Sequence, residues 1–343
     1  MTAIERWHGY LKDRLVRNVV AAILLGLLLG RFARVHEHGY GRLADAAILT
    51  FVFMMIFPMM VTIRLEALLA AARNLKSVAL SVLYNFVWAP LVGLFLASTF
   101  LDQSEVAFGF LLVMTVPCSN MAIGYTGITK GNVELATIIV AVSFLLALPA
   151  VPIWLALLAG RFDVPVPYLL LGRALLVTLV LPMILGTAVR RLLVAWRGVE
   201  SFTRIAPVFP TITLTSMLGS IFLIFFSMAP TLLDQWPLML WLMVPNLLFM
   251  ASTFVLVTVV NRLAGVSYAD NMAIAFSSTG KNNATAVAIA MATFSPLVAV
   301  PAATLPIFQV TFMIIYIRLA PWLALRFGAR RPSEAREFQE TNT

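Results

Sequence analysis

Ten apolar runs of about 20 residues follow one another through this chain, and each is long enough to cross a hydrocarbon layer about 30 Å thick. They are continuous rather than alternating. That selects helices over a barrel, whose strands alternate over about 10 residues. Charged residues make up 11% of the chain, against about 25% in a soluble domain, so the expected class is an all-α polytopic membrane protein. The runs fall at about 17–33, 43–63, 77–101, 106–127, 132–160, 168–190, 205–229, 236–262, 268–292 and 297–325. The first is short, and the fourth and ninth are interrupted.

The interruptions are polar: Pro117-Cys118-Ser119-Asn120 in the fourth run and Gly280-Lys281-Asn282-Asn283 in the ninth. Breaking a helix at membrane depth leaves backbone groups without helical partners. It is tolerated only where protein or a water-filled cavity covers the break. Paired breaks in corresponding places of two halves point to a transporter binding site. Other pairs recur in order. Phe57-Pro58 in span two matches Phe209-Pro210 in span seven, and Asn85 in span three matches Asn246 in span eight. Five plus five spans give two inverted repeats, over 17–160 and 168–325, because an odd number of spans turns the second half over. A polar amino end (1–16) precedes them and a charged tail (326–343) follows.

The basic residues lie in short loops and at the two ends. With the amino end inside, they favour the cytoplasmic side roughly four to one, so both ends are expected in the cytoplasm of a cell (plasma or inner) membrane. The net charge of +9 is therefore membrane anchoring. A nucleic-acid partner is excluded, since there is no aromatic-basic platform and no basic groove helix. The partner is the lipid bilayer. One cysteine excludes an internal disulfide, and His8, His36 and His38 have no zinc spacing, so no metal or cofactor is expected. No Walker loop, triad or metalloprotease motif appears, and no enzyme activity is expected. No cleavable signal peptide is evident. Gly26 and Gly30, a small-xxx-small pair, are the signal for helix packing or for a homo-oligomer.

Lys281 is the sharpest residue. A lysine at the bilayer centre costs about 2.5–3.5 kcal/mol on insertion scales, and ionisable groups there are functional candidates. It should face the interior and find carbonyls, asparagine oxygens, water or an anionic ligand. Asn282, Asn283, Ser277, Ser278 and Thr279 surround it in sequence, and Gly280 offers the close approach and unusual dihedrals that unwinding needs. Pro117 removes a helical hydrogen bond that Ser119 and Asn120 can replace. Cys118 is a soft ligand, suited to soft metals and metalloids. Asn85, Asn246 and Gln309 are further buried polar candidates for bonds across helices.

The stretches FPMMVTIRLEAL, RNLKSVALSVLYNFVWAPL, VPCSNMAIGYTGITKGN and STGKNNATAVAIA resemble the bile acid:sodium symporter superfamily, and within it the arsenical-resistance branch of arsenite efflux permeases. The resemblance covers spans one to ten. It implies a panel domain and a core domain in which discontinuous helices 4 and 9 cross. It also implies a secondary transporter exporting arsenite or antimonite on the proton gradient, with Cys118 at the cysteine that branch uses. That branch also uses an acid in span nine, where Ala284 and Thr285 stand here. The sodium-coupled branch implies a different set. Its Ser-Asn pair matches Ser119 and Asn120, and its span-nine glutamate aligns with Ser278, close to Lys281. The alternative is therefore an organic-anion carrier, sodium-coupled or sodium-independent, in which Lys281 replaces a sodium ion or pairs with the substrate. The coupling ion is H+ or Na+, and the substrate a metalloid or small molecule.

Overall fold

The computed structural model describes residues 6–7, 9–11, 14–33, 39–62, 74–206, 208–234 and 236–328. His8, His36, His38, the stretch 63–73 and the tail from 329 lie outside the described residues. Among the described residues the chain is helical, with no strand longer than an isolated bridge. The helices are α1 Leu15–Ala33, α2 Gly41–Thr62, α3 Leu75–Phe100, α4 Ser104–Thr115, α5 Met121–Ile128, α6 Val133–Leu158 and α7 Tyr168–Ile205. Then come α8 Val208–Ser227, α9 Ala229–Asp234, α10 Trp236–Trp241, α11 Met243–Leu263, α12 Tyr268–Thr279, α13 Asn283–Thr293 and α14 Pro296–Arg326. Seven of them (α2, α3, α6, α7, α8, α11 and α14) are long and apolar enough to cross a membrane, and the protein is a multi-pass membrane protein.

Prolines shape several of these helices. Two short π-helical turns, Tyr84–Trp88 in α3 and Leu176–Val180 in α7, each end two residues before a proline. In both, the residue just before the proline reaches back five positions: the Ala89 N–H to Tyr84 O and the Leu181 N–H to Leu176 O. Pro90 and Pro182 have no N–H, so the register slips there rather than the helix ending.

The sequence places the end of span six near 190, but α7 continues helically to Arg197 and, past a kink at Gly198, a second helical stretch runs to Ile205. Residues 190–205 carry four arginines and alternate charge with leucine and tryptophan, so a search for apolar runs passes over an amphipathic extension. Gly198, at φ +77°, bends it where an L side chain would be strained.

Helices α1, α2, α7 and α8 pack as one group, and α3, α4, α6, α11, α12, α13 and α14 as another. The groups meet where α13 packs on α2 and α7, and where α14 packs on α1 and α8. Gly26 and Gly30 lie inside the first group. A Cβ at Gly26 would fall 2.7 Å from Phe222 O, and one at Gly30 2.1 Å from Phe226 O, both on α8. The small-residue pair therefore lets two helices of the same chain approach, and it is not an exposed face for a second copy.

Candidate functional site

The two breaks meet. Helix α4 stops at Thr115, Val116 is extended, and Pro117 offers no N–H. Helix α12 stops at Thr279, and α13 begins at Asn283. Between these ends Cys118 and Lys281 face each other in an antiparallel bridge. The Ser119 N–H donates to Gly280 O at 2.7 Å, and the Asn282 N–H donates to Pro117 O at 2.9 Å. Each broken helix thus supplies partners for the other's orphan backbone groups, which is what makes both breaks tolerable in an apolar interior.

The replacements differ in part from those expected. Ser119 Oγ accepts from the Met121 N–H at 3.3 Å, a local substitute. Asn120 instead leaves the crossing. Its Nδ2 donates to Met59 O at 3.2 Å and to Thr62 Oγ1 at 3.4 Å, both on α2. Asn282 does two things: Oδ1 accepts from the Thr285 N–H and caps α13, while Nδ2 lies 3.8 Å from Met59 Sδ. Gly280 has φ −79°, open to any residue, so unusual dihedrals are not its role. Its value is space, since a Cβ there would sit 2.7 Å from Phe276 O and 3.2 Å from Met313 Cε.

Lys281 is completely buried. Its Nζ donates to Asn85 O at 3.1 Å and to Asn85 Oδ1 at 3.3 Å. The reason Asn85 O is open lies in α3. Ala89, its ordinary helical donor, bonds Tyr84 O, and Pro90 has no N–H to offer. The neighbouring carbonyl, Phe86 O, takes the Trp154 indole N–H at 2.7 Å. Two side-chain donors from distant helices thus serve carbonyls that one proline left open. Asn85 Nδ2 turns back to Ser81 O at 3.0 Å.

Cys118 is also completely buried. Its Sγ lies 3.0 Å from Ser143 Oγ, and its N–H donates to the same oxygen at 3.3 Å. The Ser143 hydroxyl donates to Val140 O at 2.8 Å. With its one proton so used, Ser143 accepts twice, and the thiol directs its own hydrogen at it. Around the crossing, Asn120 Oδ1, Ser277 Oγ, Ser278 Oγ, Asn283 Oδ1 and Thr285 Oγ1 are buried polar atoms without a hydrogen-bond partner among the described residues. Such atoms are uncommon in native interiors, and a bound water or ion is one of the ordinary ways in which they are satisfied. Thr279 is satisfied within α12, by Ala275 O at 2.7 Å. Asn246 bonds Leu242 O in its own helix rather than a neighbour, and its Oδ1 and the Oε1 of Gln309 have no partner among the described residues.

Two polar sets escape a reading of the sequence alone. The first is a clamp on α12. Asp270 accepts from Asn132 Nδ2 at 2.8 Å, Asn74 Nδ2 at 3.1 Å and Ser77 Oγ at 3.4 Å, and the Asn132 N–H donates to Ala269 O. The Thr129–Asn132 loop is thereby fixed to the start of the ninth span. In Asp270→Ala these donors lose their acceptor, and stability should fall by about 2 kcal/mol or more. Exposed Asp102→Ala should be neutral in the same detergent melting assay. The second set is a buried chain from Tyr84 OH to Asn261 Oδ1, Asn261 Nδ2 to Asn271 Oδ1, and Asn271 Nδ2 to Tyr316 OH, ending at Thr258. Asparagines inside apolar runs are its only sequence signal.

The family model described as the sodium bile acid symporter family matches residues 49–235. The arsenical-resistance protein Acr3 of Alkaliphilus metalliredigens is 24% identical over 243 residues, covering 66% of this chain and 68% of that one. The arsenical-resistance protein Acr3 of Corynebacterium glutamicum is 23% identical over 339 residues, covering 92% and 90%. An uncharacterized protein of Pseudomonas aeruginosa is 29% identical over 285 residues, covering 80% and 82%. The matched region spans more than half of the chain and includes the first break, its cysteine and the Asn85–Pro90 turn, and on that basis this protein belongs to the sodium bile acid symporter family.

Proposed function

We propose that this chain is a secondary transporter that exports arsenite or antimonite by proton-coupled alternating access, with Cys118 contacting the metalloid. The observation that carries this reading is the pairing of Cys118 with Lys281 at the crossing, which puts the chain's single thiol where both broken helices meet. Thiol sulfur suits a soft metalloid. The two relatives named as arsenical-resistance proteins support the same substrate class. Ser119, Asn120, Lys281, Asn282 and Asn283 complete the site, supported by Pro117, Asn85, Ser278, Thr279, Gly280, Asn246 and Gln309. Because Ser143 covers the thiol, metalloid contact follows its exposure by movement of one helix group against the other. The contacts from Asn120 and Asn282 to Met59 lie between those groups and would break and reform in each cycle.

In this reading α1 to α14 make ten spans in two inverted repeats (17–160 and 168–325), with both ends cytoplasmic in the plasma membrane. Paired acid contacts favour it. Glu105, in the first turn of α4, accepts from Ser295 Oγ at 2.9 Å just before α14. Asp270, in the first turn of α12, accepts from Asn132 just before α6. Each crossing helix is tied at its start to the loop that follows the other.

The test is uptake by everted vesicles of arsenite and of a panel of organic anions, with and without sodium. Arsenite uptake should collapse with a protonophore, ignore sodium and vanish in Cys118→Ser. Organic-anion uptake lost in Lys281→Met, with no arsenite movement, would replace this reading with an anion carrier.

A further inference from the structure

Helix α7 ends in a basic hollow that the crossing does not use. From Tyr168 to Val189 the helix rises about 33 Å, roughly a full hydrocarbon thickness, so Arg190 and Arg191 stand at a membrane surface. The bend at Gly198 brings Ser201, Phe202, Arg204 and Ile205 beside Leu193 and Arg197, and these six line a cavity of about 150 Å³. Arg190 holds the Phe202 wall, with its guanidinium 5.8 Å from the ring centroid. Two arginines and a serine thus share one hollow. Glu200, the only acid between 190 and 205, is not among its walls. A guanidinium presents a planar fork of N–H donors that matches the oxygens of a phosphate.

The hollow is continuous with a lipid-facing stripe. Leu181, Leu185, Ala188, Leu192 and Trp196 recur every three or four residues and are exposed, Trp196 to 81%. That spacing sets them on one face of α7, leading out of the bilayer to Arg197. A soluble anion has no use for such a stripe, whereas an acyl chain covers it. A tryptophan at its outer end is the usual marker of the membrane interface.

We infer that the end of α7 is a binding site for an anionic phospholipid. The phosphate headgroup lies between Arg197 and Arg204, with the Ser201 hydroxyl as a further donor, and the acyl chains run along the stripe from Trp196 to Leu181. This is more than the general attraction of basic loops to a charged surface, because it requires saturation and depends on two particular arginines.

Purified protein in a neutral detergent with phosphatidylcholine tests this by titration with phosphatidylglycerol, and separately with inorganic phosphate at matched ionic strength. The wild-type melting midpoint should rise by several degrees with phosphatidylglycerol and then saturate, as a bound ligand requires. Inorganic phosphate should leave it unchanged. Arg197→Gln combined with Arg204→Gln should lose the response, and both side chains are exposed, so the fold should survive. Arg191→Gln combined with Arg262→Gln removes the same charge outside the cavity and should keep the response. Equal loss in both pairs would mean diffuse charge rather than a site and overturns the inference. So does a wild type indifferent to phosphatidylglycerol, or one that responds equally to inorganic phosphate. If the Arg197, Arg204 pair does not fold, native mass spectrometry of the delipidated wild type is the readout. Retention of phosphatidylglycerol over phosphatidylcholine supports the site, and no preference counts against it. None of these outcomes depends on the transported substrate.

Discussion

Lys281→Met should lower stability by about 2–5 kcal/mol, and most of that loss should trace to Asn85 rather than to the lysine itself. Methionine fills similar space but donates nothing, leaving a buried carbonyl and a buried amide oxygen unpaired at about 1–3 kcal/mol each. The control is a double-mutant cycle. Pro90→Ala restores an N–H where the carbonyls of Asn85 and Phe86 lack one. Combined with Lys281→Met it should recover about 1 kcal/mol, so the two changes should not add. Unfolding titrations in mixed micelles read both effects. Strict additivity would mean that the open carbonyl is not what holds the lysine.

A second large effect is expected at Gly109, where α4 meets the first turn of α14. A Cβ there would lie 2.2 Å from Val298 O and 2.9 Å from Val298 C, both backbone atoms. Neither can rotate aside, so even alanine must push α4 away from α14. The expected cost is at the upper end of about 1–3 kcal/mol, and valine should exceed it. Helix α4 runs directly into Pro117, so under the proposed function metalloid uptake per folded molecule should fall as well. At Gly124, in α5, a Cβ would meet nothing within 4 Å. Gly124→Ala should therefore gain about 0.5–1 kcal/mol from helix propensity and keep uptake.

Much of the scaffold is legible in the sequence because a bilayer leaves so few options. Runs placed at 43–63, 77–101 and 132–160 correspond to α2, α3 and α6 within two residues at every end. The breaks are legible for the same reason: a proline or a lysine cannot hide at membrane depth. Which helix answers which break is not legible. Lys281 and Asn85 are separated by 196 residues, and no periodicity within one span reveals a partner in another. Ser143 reads as one serine among leucines until Cys118 is laid against it. Asp270 looks like a helix-start acid, and its clamp on the Thr129–Asn132 loop exists only because α5 and α12 run side by side. The extension of α7 escapes the sequence because charge, which ends an apolar run, does not end a helix.

The covered thiol has a practical consequence. Because Cys118 is the sole cysteine and is buried against Ser143, the natural protein already carries a conformational clock. A membrane-permeant maleimide can react with it only during the intervals when the crossing is open. Under the proposed alternating access, its rate of alkylation measures how often the crossing is exposed, with no labelling site engineered in and no background thiol to subtract. Followed from either face of the membrane with impermeant reagents, the same sulfur would report, under that reading, from which side the crossing is reached.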